Sequence, residues 1–211
     1  MDIGIQTNTR EAFIALGRVV GLALQQLPQQ RPHYISIQGD FSSGKELFAL
    51  AVDQVFNPRR YPNGITRDME AETFLRPGND GQPQTVFRNF RNRYAPSGSY
   101  FDECLRDFAA ENPQARLVIA SNISRPGSYE YYRTAKNMKS ECLDVGVVVY
   151  KLGPGFTRGV DLTFRDDHRL ARVVAAYRSE VEPMGSVVVA PPPRTLPGLR
   201  MRPDSGLQPL H

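Results

Sequence analysis

The amino-acid sequence predicts an α/β protein: a mainly parallel sheet flanked by helices, followed by an extended Pro-rich tail. Three observations carry that expectation. Tyr34-Ile35-Ser36-Ile37-Gln38 has strand character, enters a glycine-bounded loop, and is followed by the helix-like Leu47-Phe48-Ala49-Leu50-Ala51-Val52. Apolar runs at 116–121 and 145–151 lack polar alternation, as strands covered on both faces do. After Glu182 the composition changes, and seven of the chain's 17 prolines lie from Pro183 onward. The expected division is an α/β domain over 1–180 and a tail over 181–211.

The loop between the first of those strands and its helix is Gly39-Asp40-Phe41-Ser42-Ser43-Gly44-Lys45-Glu46. Its first seven positions fit G-x-x-x-x-G-K, and strand–loop–helix is the setting that a phosphate-binding loop requires. Successive backbone N–H groups and the positive end of the helix dipole converge on an anion there. The candidate nucleotide contacts are therefore Gly39, Asp40, Ser42, Ser43, Gly44, Lys45 and Glu46, with Lys45 reaching the outer phosphates of ATP or ADP. The competing reading is a plain glycine turn before an amphipathic helix. Glu46 stands where Ser or Thr would hold Mg²⁺. It repels a phosphate by about 3 kcal/mol at roughly 5 Å in an effective dielectric near 20, unless a metal turns its carboxylate into a ligand.

Asn8 with Glu11 resembles a capping box, and Phe13, Leu16, Val20, Ala23 and Leu27 share one helical face. Gly17 and Gly21 weaken that helix by roughly 1 kcal/mol each unless close packing needs them. The second helix is expected over 45–56, stopped by Asn57-Pro58. A polar, Pro/Gly-rich connection spans 59–84, and 85–90 regains strand character. A short helix over 100–110, a strand at 116–121, a helix over 129–140, strands at 145–151 and 160–164, and a last helix bearing Leu170, Val173, Val174 and Tyr177 complete the domain. The segment from Pro183 is expected to be dispensable for folding, unless Val187-Val188-Val189 adds an edge strand.

Composition limits the function classes. No apolar run reaches the roughly 18–20 residues of a membrane span, and the N-terminus carries no signal-peptide pattern, so the expectation is cytoplasmic. Cys104 and Cys142 lack metal spacing, and His33, His168 and His211 are scattered, which leaves a zinc site without support. The net charge is +4, and 22 of the 26 basic residues are arginine, a bias that suits phosphate contacts but also follows from genomic composition. Arg88, Arg91 and Arg93 interleave with Phe87, Phe90 and Tyr94; this is either a nucleic-acid surface or a strand end with a solvated basic rim. No Gly-x-Ser-x-Gly elbow appears.

In motif order the chain resembles the small ATPase of bacterial tRNA threonylcarbamoyladenosine biosynthesis, the TsaE type. Leu16-Gly17 matches that family's Leu-Gly pair. The loop at 39–46 resembles G-D-L-G-A-G-K-T at four of eight positions. Thr73-Phe74-Leu75 stands at the family's switch segment, and 86–93 at its V-Y-H-F-D-L-Y-R strand. The resemblance implies a nucleotide ligand, Mg²⁺, a switch role for Thr73, and partner proteins that modify adenosine in tRNA. The departures all touch chemistry: Glu46 replaces the metal-binding hydroxyl, the H-F-D aspartate falls on Phe90, and the glutamate of I-E-W falls on Ala120 or Ser121. The expected protein is thus a nucleotide binder with weak or absent hydrolysis. The alternative is a non-catalytic interaction module on the same frame, docking through its tail or its arginine-rich surface.

Overall fold

The computed structural model describes residues 3–27, 31–75, 85–90, 98–123, 143–153, 155–165, 172–173, 175–177 and 188–190. Seven strands form one sheet: β1 (Ile3–Thr7), β2 (His33–Gly39), β3 (Thr85–Phe90), β4 (Leu117–Ile123), β5 (Val145–Lys151), β6 (Arg158–Phe164) and β7 (Val188–Ala190). Their order is β3-β4-β2-β5-β6-β1-β7. The half β3-β4-β2-β5 is parallel, and β6, β1 and β7 are added antiparallel. The fold is therefore the expected phosphate-loop NTPase-like α/β architecture, with a mixed sheet.

Helix α1 (Arg10–Gln25) is capped by Thr9, whose side chain accepts from the Ala12 amide at 3.1 Å. Asn8, expected to be the cap, instead accepts from the Gln6 side chain at 3.0 Å. The shift stems from β1, a strand that the sequence pattern did not reveal and that carries extended backbone up to Thr7. Helix α2 (Lys45–Phe56) has the expected bounds and ends at Asn57-Pro58, which continue as a 3-10 turn over Pro58–Arg60.

Close packing does need the two glycines of α1. A β-carbon at Gly17 would lie 2.6 Å from Ala51 Cβ, and one at Gly21 would lie 3.0 Å from Val52 O and Val55 Cβ. Both positions face α2, so the helices approach closer than any side chain permits.

The connection at 59–84 is packed rather than free over its described part. Tyr61, Ile65, Ala71 and Leu75 are buried in the main core, and Phe74, which ends α3 (Ala71–Phe74), packs against it. Its anchor is Asp53, fully buried on α2. Asp53 accepts the Tyr61 hydroxyl at 2.6 Å and the Asn57 side-chain amide at 2.6 Å, and Asn57 donates onward to Thr85 Oγ1 at 3.0 Å. Burial and the adjacent Asp53 carboxylate push the Tyr61 hydroxyl pKa far up, which keeps it a donor.

The sheet divides the core. Ile35, Ile37, Ile119, Val147 and Val149 face α1 and α2 in the larger cluster. Tyr34, Val118 and Ala120 face α4 (Gly98–Glu111), through Leu105 and Phe108, on the other side. Val173 and Tyr177 are buried in the larger cluster within short helical stretches at 172–173 and 175–177. The helix expected over 129–140 lies outside the described residues, as do Leu170 and Val174. Within 181–211, Val188–Ala190 pairs antiparallel with β1, the edge-strand alternative of the sequence reading.

Candidate functional site

β2 ends at Gly39, level with Ile123 of β4 and Val149 of β5. The loop after it thus rises from the carboxyl edge of the parallel strands, where open α/β sheets place their ligands. Gly39 is required by close approach: a β-carbon there would lie 2.2 Å from Val149 O and 2.7 Å from Ser43 Oγ. Ser42 has φ 54°, and Gly44, which opens α2, has φ 109°. The loop curls through a turn in which Ser43 N donates to Asp40 O at 3.3 Å. Asp40 Oδ1 accepts the Phe41 amide at 2.7 Å, which is turn chemistry. Phe41 projects from the loop, 56% exposed.

Lys45 is buried and turned back into the loop. Its Nζ donates to Gly39 O at 2.9 Å and to Asp40 O at 2.7 Å. Burial lowers its pKa, while the Asp40 and Glu46 carboxylates act in the opposite direction. Ser43 is fully buried, and its Oγ has no hydrogen-bond partner among the described residues. Glu46 is half-buried in the first turn of α2, where an acid complements the helix dipole.

The floor of the loop is aromatic. The ring of Phe13 on α1 would lie 3.2 Å from a β-carbon at Gly44, and it meets Phe48 and Phe156 edge-on at 5.5 and 5.7 Å. Beside it is Arg158, a residue that sequence reasoning passed over. The strand expected at 160–164 begins two residues earlier, and the β5–β6 hairpin pairs Arg158 with Lys151, at the same edge of the sheet as the loop. No local sequence signal marks that position; only the hairpin register brings it there.

The remaining candidates are dispersed. Thr73 falls in α3, which packs against α2 and β3. Ala120 points into the α4-side cluster, so by strand alternation Ser121 shares the α2 face with Ile119. Ser121 is fully buried, and its hydroxyl has no partner among the described residues. Arg88 is exposed, yet its guanidinium lies 5.2 Å from the Phe108 ring centroid, so part of the arginine–aromatic pattern is internal packing. Arg91, Arg93 and Tyr94 lie outside the described residues.

The groups implied by the resemblance fit unequally. The loop's glycines, its amides at the start of α2, and Lys45 fit a phosphate chain. For Mg²⁺ the described residues depart from the ligands that the resemblance implies. The position of the hydroxyl ligand holds Glu46, and the described ends of β3 and β4 are Asn89-Phe90 and Asn122-Ile123. Among the described residues no three His, Cys, Asp or Glu side chains are grouped to hold a metal ion.

Fold and loop define an α/β protein of phosphate-loop NTPase-like architecture, with Glu46 directly after the loop lysine. A crystal structure of YdiB from Bacillus subtilis superposes with a TM-score of 0.46 at 14% identity, covering 85% of this chain and 97% of that one. No protein-family model matches the chain, and no curated protein matches its sequence. Among the described residues no helix is long and apolar enough to cross a membrane.

Proposed function

We propose that this protein binds a nucleoside di- or triphosphate, ADP or ATP, on the 39–46 loop and hydrolyses it weakly or not at all. The observation that supports this most is the placement of Lys45. A buried ammonium held on the loop's own carbonyls at the start of α2, at the carboxyl edge of parallel strands, is a charge poised for an anion. The glycines of the loop are needed for its backbone path, and α2 supplies aligned amides. The resemblance to the threonylcarbamoyladenosine ATPase adds the expectation of partner proteins acting on tRNA.

Thermal unfolding with ADP and ATP, with and without Mg²⁺, tests the reading. A ligand at 100 times its dissociation constant adds roughly 2.7 kcal/mol of stability. Lys45→Ala is expected to remove most of that shift while the protein stays folded. No shift in the wild type at saturating nucleotide overturns the proposal.

A further inference from the structure

Arg158 stands out because it is buried, at 7% exposure, with no carboxylate partner among the described residues. Its Nη1 donates to Gly155 O at 3.2 Å and Thr157 O at 3.1 Å, and its Nη2 reaches Ser42 O at 3.5 Å. The guanidinium stacks 4.6 Å from the Phe156 ring centroid. Its Nε is buried and has no hydrogen-bond partner among the described residues. A guanidinium carries five N–H donors and stays charged, and a buried charge with no counter-ion is unfavourable unless something else neutralises it.

The surroundings indicate what that is. Arg158 Nε would lie 3.8 Å from a β-carbon at Gly44, at the first turn of the twelve-residue α2. Within the same loop the fully buried Ser43 Oγ is a second polar atom without a partner among the described residues. Two buried polar atoms without a partner among the described residues, one on β6 and one in the loop that also holds the ammonium of Lys45, therefore flank the positive end of α2. Burial lowers the Arg158 pKa.

We propose that Arg158 is a second cation of the phosphate site, holding the loop through Ser42 and adding its charge to that of Lys45 and the α2 terminus when a polyphosphate binds. This rests on the nucleotide reading of the loop. The residue comes from the antiparallel part of the sheet, so the β5–β6 hairpin becomes part of the anion site. A brace without an electrostatic role would need only the carbonyl contacts, which a Gln side chain can partly reproduce.

The probe is inorganic tripolyphosphate, measured by calorimetry against wild type, Arg158→Gln and Arg158→Lys, with ADP in parallel. The expected result is a loss of roughly 10-fold or more in tripolyphosphate affinity for Arg158→Gln, with most of it restored in Arg158→Lys. Equal affinity of wild type and a folded Arg158→Gln overturns the role of Arg158 while leaving the nucleotide reading intact. Failure of the wild type to bind either probe defeats both. If Arg158→Gln does not fold, the Nε–H resonance of Arg158 in wild-type protein decides: it is expected to shift on titration with tripolyphosphate, and an unmoved resonance at saturation overturns the proposal.

Discussion

Gly17 lies against Ala51 so closely that a β-carbon at 17 would come within 2.6 Å of Ala51 Cβ and 3.2 Å of Phe48 O. The contact brings α1 onto α2, and with it Phe13 under Gly44. Gly17→Ala gains helix propensity of about 1 kcal/mol but overpacks a helix interface, which destabilises by roughly 1–3 kcal/mol. The expected net effect is a lower denaturant midpoint with an unchanged slope. A midpoint at or above that of the wild type shows that α1 can move away freely.

Asp144 binds Arg31 through both oxygens at 2.9 and 3.1 Å and accepts the Tyr34 amide at 3.0 Å, with His33 Nδ1 3.7 Å away. Burial pushes its carboxyl up, but the His33 ring, the Tyr34 amide and Arg31 outweigh it and leave the pKa below the ordinary carboxylate value. A depressed folded-state pKa contributes stability above the unfolded value, and that contribution is lost as pH falls through the folded one. Asp144→Asn is expected to destabilise at pH 7 by roughly 1–2 kcal/mol. The gap from wild type should begin to narrow as pH falls below about 4 and go on narrowing toward the lower folded-state pKa; a gap that does not narrow with acidification contradicts the charged role.

Two truncations distinguish the edge strand from the residues beyond it. Removal of residues 191–211 is expected to leave the thermal midpoint nearly unchanged. Removal of everything after Glu180 also takes β7 from β1, exposing a new edge next to the buried Ile5. That larger deletion is expected to lower the midpoint by roughly 2–6 °C. Identical midpoints for both would assign β7 no part in stability.

Glu46 and the crest of the sheet bear on turnover. Glu46→Thr removes a charge worth about 3 kcal/mol against a phosphate roughly 5 Å away, so ATP is expected to bind more tightly. Phosphate release is expected to stay near background in both wild type and Glu46→Thr, because Phe90 and Ala120 or Ser121 supply no acid at the positions that the resemblance implies. Robust wild-type turnover abolished by Lys45→Ala would contradict weak hydrolysis and assign catalysis to an acid elsewhere.

Much of the frame was written locally. The bounds of α2, the strands at 85–90 and 145–151, and the loop at 39–46 arise from patterns within a dozen residues: apolar runs, the Asn57-Pro58 stop, and glycines flanking a lysine. Three things were decided only by tertiary packing. β1 has too little apolar pattern to declare itself, and its pairing with β6 and β7 moved the helix cap from Asn8 to Thr9. Which of Ala120 and Ser121 lies on the α2 side depended on which face of β4 met α2, because alternation sets relative faces but not which one is covered by the loop's helix. Arg158 reached the loop through hairpin register across 116 positions of chain from Ser42, a long-range coincidence that no local window can contain.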